Sequence, residues 1–446
     1  MNVKICPVGG YDEVGKNMTA VKVGEETVIL DMGFHLPSLV KYEESGHSRQ
    51  KISNEHLIKL GIIPDDRVLD SWKPSVKAIV SSHAHFDHVG AVPHMCGAYQ
   101  APVLGTPFTT EFLRMISEDN GLLYKNPVKT VNLGSSYKVS ENIEIEFIGT
   151  THSTPQSAMV ALHTKKGVIL YTNDFKFDDH PVIGKKPDYA RLKELGEEGV
   201  FAVVADSLYS GCHQKTPSER IARELLKDTM LSAEAQDNPI IITCFSSNIA
   251  RLKSIAEFGK KLNRKITFLG RSLLKYTNVA KNIGLIDFSK GAEIIGNAER
   301  IQKKFARIEK EGPENYVIVC TGGQGEQNSV LSRMLHGIYH FKFGAEDSMI
   351  FSNKTIPVSP NIENREHMEK KLESHGVKIY KDVHVSGHAS REDLRELIKL
   401  INPQHIIPGH GHHKLVKPME DLAVEMGFTP KHQVHLCKNG KTLTLE

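Results

Sequence analysis

The sequence predicts an α/β protein in which one sheet-rich domain is interrupted by a second domain built on a parallel sheet. Strand-like runs alternate with helix-like runs through residues 1–206. Over residues 207–370 the order becomes a βαβ rhythm, which is typical of parallel strands joined by helices. The strand-rich pattern returns over residues 371–446. We therefore expect the first domain in two parts, 1–206 and 371–446, with 207–370 inserted between them.

Short apolar runs bounded by turn residues predict the strands. Asn439-Gly440 is a turn pair typical of a hairpin, so a hairpin is predicted over Gln433–Leu445. The other predicted strands are Val3–Val8, Met18–Val23, Thr27–Asp31, Val76–Val80, Val103–Leu104, Ile143–Ile148, Val168–Tyr171, Phe201–Ala205, Ile240–Phe245, Ile266–Leu269, Val317–Cys320, Met349–Phe351, Val377–Tyr380 and His405–Ile407. The predicted helices are Pro107–Asn120, Tyr189–Leu195, Pro217–Met230, Ile249–Leu262 and one that begins at Ser272.

Composition limits the class of protein. The 446 residues are 39% hydrophobic and 24% charged, which fits a globular chain of two or three domains and excludes a disordered or collagen-like one. The net charge is only +3, so any nucleic-acid binding must come from a local patch. No stretch of 18 apolar residues predicts a membrane span. The N-terminal residues show no secretory signal and the six cysteines include no CxxC pair, so we expect a cytoplasmic location.

Histidines are the unusual feature of the composition, since the 23 of them gather in short Gly-, Ser- and Pro-rich stretches. The strongest signal is the run HAHFDH at His83–His88, directly after a predicted strand. In an extended segment His83 and His85 point the same way, because side chains alternate with a period of two. As the chain turns, Asp87 and His88 reach a second position, so one loop can serve two adjacent metals. The alternative is a loop of solvated histidines.

The order HxHxDH resembles the signature of the metallo-β-lactamase superfamily, and this sequence matches it in full. The resemblance implies further ligands downstream, and His152, Asp174 and His410 follow predicted strands in the expected order. The implied ligands are His83, His85 and His152 for one metal and Asp87, His88 and His410 for the other, with Asp174 bridging the two.

Two further positions belong near this ligand set. Residues 408–413 read PGHGHH where PVHGE is commoner in the family, so His410 and His412 are both candidates for the last ligand. We favour His410 because it precedes the glycine, as in the family. Asp31 resembles the first motif of the superfamily, which implies that it orients the histidine run.

Two metals roughly 3.5–4 Å apart suit phosphodiester hydrolysis, because they activate a water and stabilise charge on the attacking and leaving oxygens. Histidine and aspartate ligands suit Zn²⁺, and a mixed nitrogen and oxygen set would also hold Mn²⁺. We therefore expect two Zn²⁺ per chain, with Mn²⁺ as the alternative.

The inserted domain decides between branches of the superfamily. Lactamases and glyoxalases need no such insertion, whereas its position after residue 206 resembles the β-CASP nucleases, which act on RNA or DNA. Asp206 at a predicted strand end, His388 in the HVSGH segment and His410 match three β-CASP motifs. The resemblance implies an αββα metallo-β-lactamase sandwich with an inserted β-CASP parallel-sheet α/β domain.

Within that group the sequence is similar to the ribonuclease J family over nearly its whole length. The extra C-terminal domain of the bacterial members is absent, so we expect the short archaeal-type form. The resemblance implies degradation of single-stranded RNA from 5′ to 3′, a preference for a 5′-monophosphate and possible internal cleavage. The matching segments are Gly9–Met18 (GGYDEVGKNM), His83–Ala91 (HAHFDHVGA), Thr216–Glu219 (TPSE), Phe245–Asn248 (FSSN), Thr321–Glu326 (TGGQGE) and His384–His388 (HVSGH).

The HVSGH segment fits a preference for a terminal phosphate. The Ser386 hydroxyl, the Gly387 N–H and the imidazoles of His384 and His388 offer donors to such a group. A phosphate held one nucleotide from the metals would lead to release of mononucleotides. The alternative is that His384 and Ser386 are turn residues ahead of a helix that starts at Ser390.

The resemblance also gives His388 a second candidate role. With Asp206 as its partner, His388 would stay protonated and act as a general acid toward the leaving 3′-oxygen. Asp87 completes the residues assigned to catalysis, beside its role as a metal ligand.

Two features of the inserted domain leave alternatives open. The Gly-rich segment Thr321–Glu326 is either a loop that approaches a phosphate backbone or a plain turn. Basic residues that would line an RNA groove, or simply form a solvated face, include Arg251, Arg271 and Lys275.

Together these features predict a zinc-dependent 5′–3′ exoribonuclease, with RNA in a cleft between the domains and a homodimer expected from the family. The nearest rival is an endoribonuclease of the mRNA 3′-end-processing type, which shares the ligands. Its archaeal relatives usually carry N-terminal RNA-binding domains, whereas this sequence begins with the catalytic domain. A non-catalytic RNA-binding scaffold is disfavoured by the full ligand set, and a small-molecule hydrolase would act on thioesters or lactams.

Overall fold

The computed structural model describes residues 2–46, 52–122, 124–232, 238–345, 347–356 and 359–446. Two compact units make up the chain. The first consists of Met1–Asp179, Gly184–Thr216 and Gly387–Glu446, and the second of His180–Ile183 and Pro217–Ser386. The domain limits at residues 206 and 370 stay predictions of the sequence. Within the described ranges, no helix combines the length and apolar character needed to span a membrane.

The strands are β1 (Val3–Gly9), β2 (Met18–Val23), β3 (Glu26–Leu30), β4 (Val76–Ser81), β5 (Val103–Gly105), β6 (Val128–Thr130), β7 (Ser135–Lys138), β8 (Glu144–Gly149), β9 (Ala158–Thr164), β10 (Gly167–Tyr171), β11 (Val200–Asp206), β12 (Ile240–Thr243), β13 (Lys265–Leu269), β14 (Ala292–Ile295), β15 (Tyr316–Cys320), β16 (Ser348–Phe351), β17 (Lys378–Tyr380), β18 (His405–Gly409) and β19 (Leu443–Leu445). The α-helices are α1 (Leu36–Glu44), α2 (Asn54–Lys59), α3 (Phe86–Val89), α4 (Val92–Met95), α5 (Pro107–Asn120), α6 (Tyr189–Glu198), α7 (Glu219–Met230), α8 (Ile249–Lys261), α9 (Arg271–Asn282), α10 (Ala298–Glu311), α11 (Val330–Leu335), α12 (Ser359–Ser374), α13 (Arg391–Ile401) and α14 (His413–Glu425).

Two sheets form the frame of the first unit. One has the strand order β19-β1-β2-β3-β4-β5-β6, and the other has the order β18-β11-β10-β9-β8-β7. In the first sheet β3, β4, β5 and β6 pair in parallel. In the second sheet β10, β11 and β18 pair in parallel. Parallel neighbours end at the same edge of a sheet, which is where α/β proteins place their ligands.

Alternation along β9 shows that the second sheet is buried on both faces. Val160 and Leu162 pack into the core between the two sheets, whereas Met159 and Ala161 pack into a second core on the opposite face. Side chains of a strand alternate with a period of two, so one apolar run can serve both cores. The helix residues of this outer core include Leu192 of α6, Leu397 of α13 and Leu422 of α14. Helix α5 covers β5 and β6 of the other sheet, so the predicted αββα sandwich is confirmed.

The second unit is built on one sheet whose neighbouring strands are all parallel. Its order is β14-β13-β15-β12-β16-β17. Ile241, Ile318 and Met349 of three adjacent strands pack with Phe305 of α10 and Leu372 of α12 into a common core. The predicted inserted parallel-sheet α/β domain is confirmed by this arrangement.

The C-terminal tail differs from the sequence prediction, and the hairpin expected over Gln433–Leu445 is wrong. Val434 bridges to Ile406 of β18, while β19 pairs antiparallel with β1. The two halves of the tail therefore join different sheets, because each finds a neighbour in a longer strand already present there. Strand β9 was not predicted either, and its alanines at 158 and 161 are weak strand formers.

Candidate metal centre

The histidine-rich run begins where a buried strand stops. Strand β4 ends at Ser81, and His85 is the extended residue that caps helix α3. Asp87 and His88 lie in the first turn of that helix. The chain thus changes direction inside the run, and its two halves present their side chains at different places.

Backbone hydrogen bonds from residues 17–34 hold this run in position. The N–H groups of Asn17, Met32 and Phe34 donate to three successive carbonyls of the run at 2.7–2.9 Å. Gly33 is required at this contact, because a Cβ there would lie 1.6 Å from the carbonyl oxygen of Asp87. The ligand run is therefore supported by main chain rather than by side-chain packing alone.

Asp31 is fully buried and accepts four hydrogen bonds. Its oxygens accept from the N–H and hydroxyl of Ser82, from Nδ1 of His88 and from the hydroxyl of Tyr171, each at 2.8 Å. Because Nδ1 of His88 carries the proton donated to Asp31, the lone pair of the neutral ring, the form that binds a metal, is on Nε2. Asp31 thus orients the histidine run, the role that its resemblance to the superfamily implies.

Four side chains form the first donor group. Nδ1 of His85 lies 3.1 Å from Nε2 of His83 and 3.1 Å from Nε2 of His152, and Oδ2 of Asp174 lies 3.6 Å from Nε2 of His83. His152 donates through Nδ1 to the carbonyl of Gly387 at 2.7 Å, which leaves its Nε2 as the free acceptor. The ligand-type atoms of this group all lie within 4.8 Å of one another.

The second donor group shares Asp174 with the first. Nε2 of His88 lies 3.2 Å from Oδ2 of Asp174 and 3.6 Å from Oδ2 of Asp87. Nε2 of His410 lies 3.9 Å from the same oxygen of Asp87. One ligand-type atom from each of Asp87, His88, Asp174 and His410 lies within 4.8 Å of the other three. His410 is buried in this group, whereas His412 is the exposed residue that precedes helix α14.

Burial sets the protonation of the first donor group. It lowers the pKa of His83 and His152 well below the ordinary value for histidine and lowers the pKa of His85 to about 4. These imidazoles are therefore neutral at pH 7 and have lone pairs for a cation. Burial alone would raise the pKa of Asp174, but the surrounding imidazoles, above all that of His410, lower it well below the ordinary value for aspartate.

His388 and Asp206 form a pair at the border of the two donor groups. Nδ1 of His388 donates to Oδ2 of Asp206 at 2.9 Å, and Asp206 is the last residue of β11. Burial alone would lower the pKa of His388, but the Asp174 and Asp206 carboxylates raise it to about 9. With Asp174, the pair also makes a third group of ligand-type atoms within 4.8 Å.

Comparison with known families agrees with this geometry. Residues 11–236 match the metallo-beta-lactamase superfamily, residues 237–369 match the beta-CASP domain of ribonuclease J, and residues 376–435 match the Zn-dependent metallo-hydrolase RNA specificity domain. Ribonuclease J of Methanocaldococcus jannaschii is 43% identical over 447 residues, covering 100% of this chain and 99% of that protein. The chain belongs to the ribonuclease J family.

Other relatives of the family extend the comparison. Ribonuclease J of Pyrococcus abyssi is 41% identical, over 99% of this chain and 97% of that protein. Ribonuclease J of Helicobacter pylori is 32% identical over 98% of this chain but only 60% of that longer protein. A crystal structure of a protein of unknown function from Enterococcus faecalis V583 has a TM-score of 0.65 at 16% identity over 100% of both chains, which shows the fold alone.

The residues present fit the divalent metals that a metallo-β-lactamase domain implies. Asp174 Oδ1 is buried and has no hydrogen-bond partner among the described residues. A buried carboxylate oxygen without a partner is rare unless a cation or water faces it. Neutral imidazoles and carboxylates are donors that both Zn²⁺ and Mn²⁺ accept.

The TPSE segment of this ribonuclease J family member helps to position His388. The hydroxyl of Thr216 donates to the carbonyl of His388 at 2.8 Å. Oδ2 of Asp393 accepts from the N–H groups of Thr216 at 2.8 Å and Ser390 at 3.1 Å. The fully buried Asp393 therefore ties the turn that carries His388 to the end of the preceding segment.

The residues predicted to hold a 5′-phosphate fall into both compact units. Gly387 and His388 belong to the first unit, and His384 and Ser386 belong to the second. Gly387 packs closely against His152, and a Cβ at position 387 would lie only 2.8 Å from the His152 Nδ1. In the second unit, the ring of His384 lies 6.2 Å from that of Phe245, measured between centroids.

Two features of the second unit have structural roles. Arg251, a candidate for an RNA groove, is fully buried, and the prediction that it lines such a groove is wrong. Its guanidinium donates to both carboxylate oxygens of Glu219 at 2.7 and 2.9 Å and to the hydroxyl of Ser352 at 2.6 Å.

The polar groups of the TGGQGE loop also form hydrogen bonds within the second unit. The Gly323 carbonyl accepts from Asn353 at 2.9 Å and from Arg365 at 2.6 Å. The Gln324 N–H donates to the carboxylate of Glu326 at 3.1 Å, so a negative charge already lies where a phosphate would bind. These contacts favour the plain-turn alternative.

Four residues around the centre received no individual role from the sequence. These residues are Asn17, Tyr171, Thr216 and Asp393. Tyr171 stands three residues before Asp174 at the end of a strand, whereas the other three lie in segments whose contacts with the centre no local pattern encodes.

We predict that Asp31→Ala lowers the free energy of unfolding of the metal-free protein by about 3–5 kcal/mol, because four buried donors lose their acceptor. Tyr171→Phe removes one of these donors and should cost about 1–2 kcal/mol. Urea-induced unfolding in the presence of a chelator measures both values. Equal losses for the two variants would show that Asp31 is not the centre of this network.

Proposed function

We propose that this chain is a metal-dependent 5′–3′ exoribonuclease that hydrolyses single-stranded RNA with two Zn²⁺ per chain, with Mn²⁺ as the alternative. The observation that carries the proposal is the pair of donor groups that share the buried Asp174. The name Ribonuclease J of the two archaeal relatives and the match to an RNA specificity domain support RNA as the substrate. A cytoplasmic location and a homodimer, both expected from the sequence, complete the proposal.

The residues of the two donor groups would hold the metals. Bound divalent cations at such a site supply an activated water and stabilise charge on both oxygens of the displaced phosphate. Asp174 contributes to both groups, and Asp31 accepts the Nδ1 proton of His88, so that Nε2 is the ligand nitrogen of this ring. The ligands proposed are His83, His85 and His152 on one side and Asp87, His88 and His410 on the other, with Asp174 between them.

His388 is the proposed general acid. Its Nδ1–H is donated to Asp206, so Nε2 is the nitrogen that can deliver a proton to the leaving 3′-oxygen. The hydrogen bond from Thr216 to the His388 carbonyl limits the freedom of this residue. A held orientation matters because proton transfer needs the donor within hydrogen-bond reach of the leaving atom.

The 5′-monophosphate preference rests on His384, Ser386, Gly387 and His388. Hydrolysis that expels a 3′-oxygen leaves a 5′-monophosphate on the shortened RNA. A site that binds this group would accept the product of each cleavage as the next substrate, which favours successive removal of mononucleotides from the 5′ end.

We predict that one RNA labelled at its 5′ or 3′ end will be shortened from the 5′ end in Zn²⁺ or Mn²⁺. A 5′-labelled mononucleotide should appear at once, and the 5′-monophosphate form should react faster than the 5′-hydroxyl form. Gel analysis of both labels over time measures this. Internal fragments without any dependence on the 5′ end would instead indicate an endoribonuclease.

The metal-ligand variant Asp87→Ala provides the control for this assay and should abolish cleavage. Asp421→Ala removes an exposed aspartate of helix α14 in the same unit and should leave the product ladder unchanged. Activity that persists in Asp87→Ala would overturn the ligand assignment. Hydrolysis of thioesters or lactams without cleavage of RNA would place the protein among small-molecule hydrolases.

We predict that His388→Ala lowers kcat on RNA by about 10²–10⁴-fold, as expected for loss of a general acid. The same variant should hydrolyse bis(4-nitrophenyl) phosphate at nearly the wild-type rate, because 4-nitrophenolate leaves without a proton. Asp87→Ala should lose both activities. If His388→Ala lost activity on both substrates to the same extent and also bound less metal, His388 would be a metal ligand instead.

We predict that His384→Ala raises the KM for 5′-monophosphate RNA by about 10–100-fold, the value of one hydrogen bond to a charged group. The KM for 5′-hydroxyl RNA should not change. His367→Ala removes an exposed histidine from helix α12 of the same unit and serves as the matched control. An equal rise for both RNAs would argue against a phosphate site at His384.

A further inference from the structure

Asn17 is a buried polar residue whose main chain is fixed on both sides. It precedes strand β2 and is only 5% exposed. Its N–H donates to the Asp87 carbonyl at 2.9 Å, and its carbonyl accepts from the N–H of Gly33 at 3.0 Å. Gly10 makes room for the side chain, since a Cβ at position 10 would lie 2.4 Å from Asn17 Oδ1. These contacts restrict the side-chain amide of Asn17 to one position.

The orientation of this amide follows from its neighbours. Nδ2 of Asn17 lies 3.0 Å from the Asp87 carbonyl, which can only accept a hydrogen bond. The amide nitrogen must therefore face Asp87, and the amide oxygen must face Nδ1 of His410 at 2.9 Å. That oxygen can only accept, so Nδ1 of His410 carries a proton. In the singly protonated ring, the form that binds a cation, the lone pair is then on Nε2.

The same amide also reaches the other histidine of the second donor group. Its Nδ2 lies 3.0 Å from Nε2 of His88, and the Nδ1 of that ring donates to Asp31. Asn17 thus touches two histidines of the second group. Within the described ranges, its side-chain hydrogen bonds reach none of the three histidines of the first group.

We propose that Asn17 is a positioning residue for the second metal alone: it selects the His410 tautomer that presents Nε2 to the cation. With the opposite tautomer, His410 would turn a proton toward the cation and a lone pair toward the amide oxygen of Asn17. Removal of the amide oxygen therefore weakens one metal site and leaves the other as it was. This inference rests on the two-metal site proposed above.

We predict that Asn17→Ala lowers the affinity for one of two Zn²⁺ by about 10–100-fold, the usual effect of losing a partner that orients a metal ligand. The purified protein is dialysed against a series of chelator-buffered Zn²⁺ concentrations, and bound zinc per chain is measured by mass spectrometry of the metal. At free Zn²⁺ concentrations between the dissociation constants of the second site in wild type and in the variant, wild type should hold two zinc ions and Asn17→Ala should hold one. Two tightly held ions in the variant, or loss of both together, would overturn the proposal.

Two further variants separate the amide oxygen from general packing. Asn17→Asp keeps an acceptor for the His410 Nδ1–H but loses the N–H that faces the Asp87 carbonyl, so it should hold the second zinc ion more tightly than Asn17→Ala does. Asn353→Ala removes an amide of the second unit that is also 5% exposed and also bonded through both of its ends. It should retain both zinc ions. Equal loss of zinc in Asn17→Asp and Asn17→Ala would exclude the tautomer argument.

The tautomer itself can be read in the wild-type protein, without reliance on a variant. Long-range ¹H–¹⁵N spectra of metal-free protein labelled at histidine distinguish a ring protonated at Nδ1 from one protonated at Nε2. The His410 signal, identified by its absence in His410→Asn, should show the Nδ1–H form. The Nε2–H form would overturn the inference.

The same measurements distinguish failure of this inference from failure of the proposed function. Wild-type protein that never holds a second zinc ion would overturn the two-metal site, and the Asn17 proposal with it. Two zinc ions in wild type together with two equally tight ions in Asn17→Ala would overturn the role of Asn17 alone.

Discussion

The buried carboxylate of Asp174 is the group on which the rest of the centre depends. Its Oδ2 lies 3.6, 3.2 and 3.7 Å from the Nε2 atoms of His83, His88 and His152. A buried charge costs several kcal/mol unless other groups stabilise it, and the surrounding imidazoles fill that role here. His83 and His88 follow a strand of one sheet, whereas Asp174 follows a strand of the other. The sandwich of the first unit is therefore the means by which this carboxylate meets its partners.

Assembly of the centre also requires unusual backbone at three of its residues. Asp31, Asn173 and His410 have φ values of 61°, 49° and 64°, in the left-handed region that residues other than glycine rarely adopt. Such conformations cost of order 1–3 kcal/mol each and persist only where the surroundings determine them. Asp31 is held by four hydrogen bonds, and His410 is held by Asn17. All three residues lie just after a strand, where the chain leaves a sheet close to the two donor groups.

The sequence segments that resemble the ribonuclease J family have different roles in the structure. The HAHFDH run carries ligand-type atoms, whereas Arg251 and the TGGQGE loop are occupied by hydrogen bonds inside the second unit. The TPSE segment is intermediate, because Thr216 has no ligand atom in the centre but bonds to the carbonyl of His388. Similarity in sequence identifies all of these segments equally. Burial and hydrogen-bond partners separate the segment that brings ligand-type atoms together from those that support the surrounding structure.

The sequence by itself determined the local features of this protein. The α/β rhythm, the inserted parallel sheet and the placement of His83–His88 after a strand all follow from patterns within short windows, because strand and helix periodicity is local. The order of the downstream candidates His152, Asp174 and His410 also came from motifs at strand ends.

Only the tertiary structure decided which distant residues meet. Asn17 reaches His410 across 393 positions, and Thr216 reaches His388 across 172. No periodicity encodes such pairs, because they depend on how two sheets stack and on which strands become neighbours. The C-terminal tail shows the same limit, since its turn chemistry predicts a hairpin while the strands already formed offer its two halves different partners. His410, and not His412, lies among the other ligand candidates because the chain turns into the centre directly after β18 and then starts a helix at the surface.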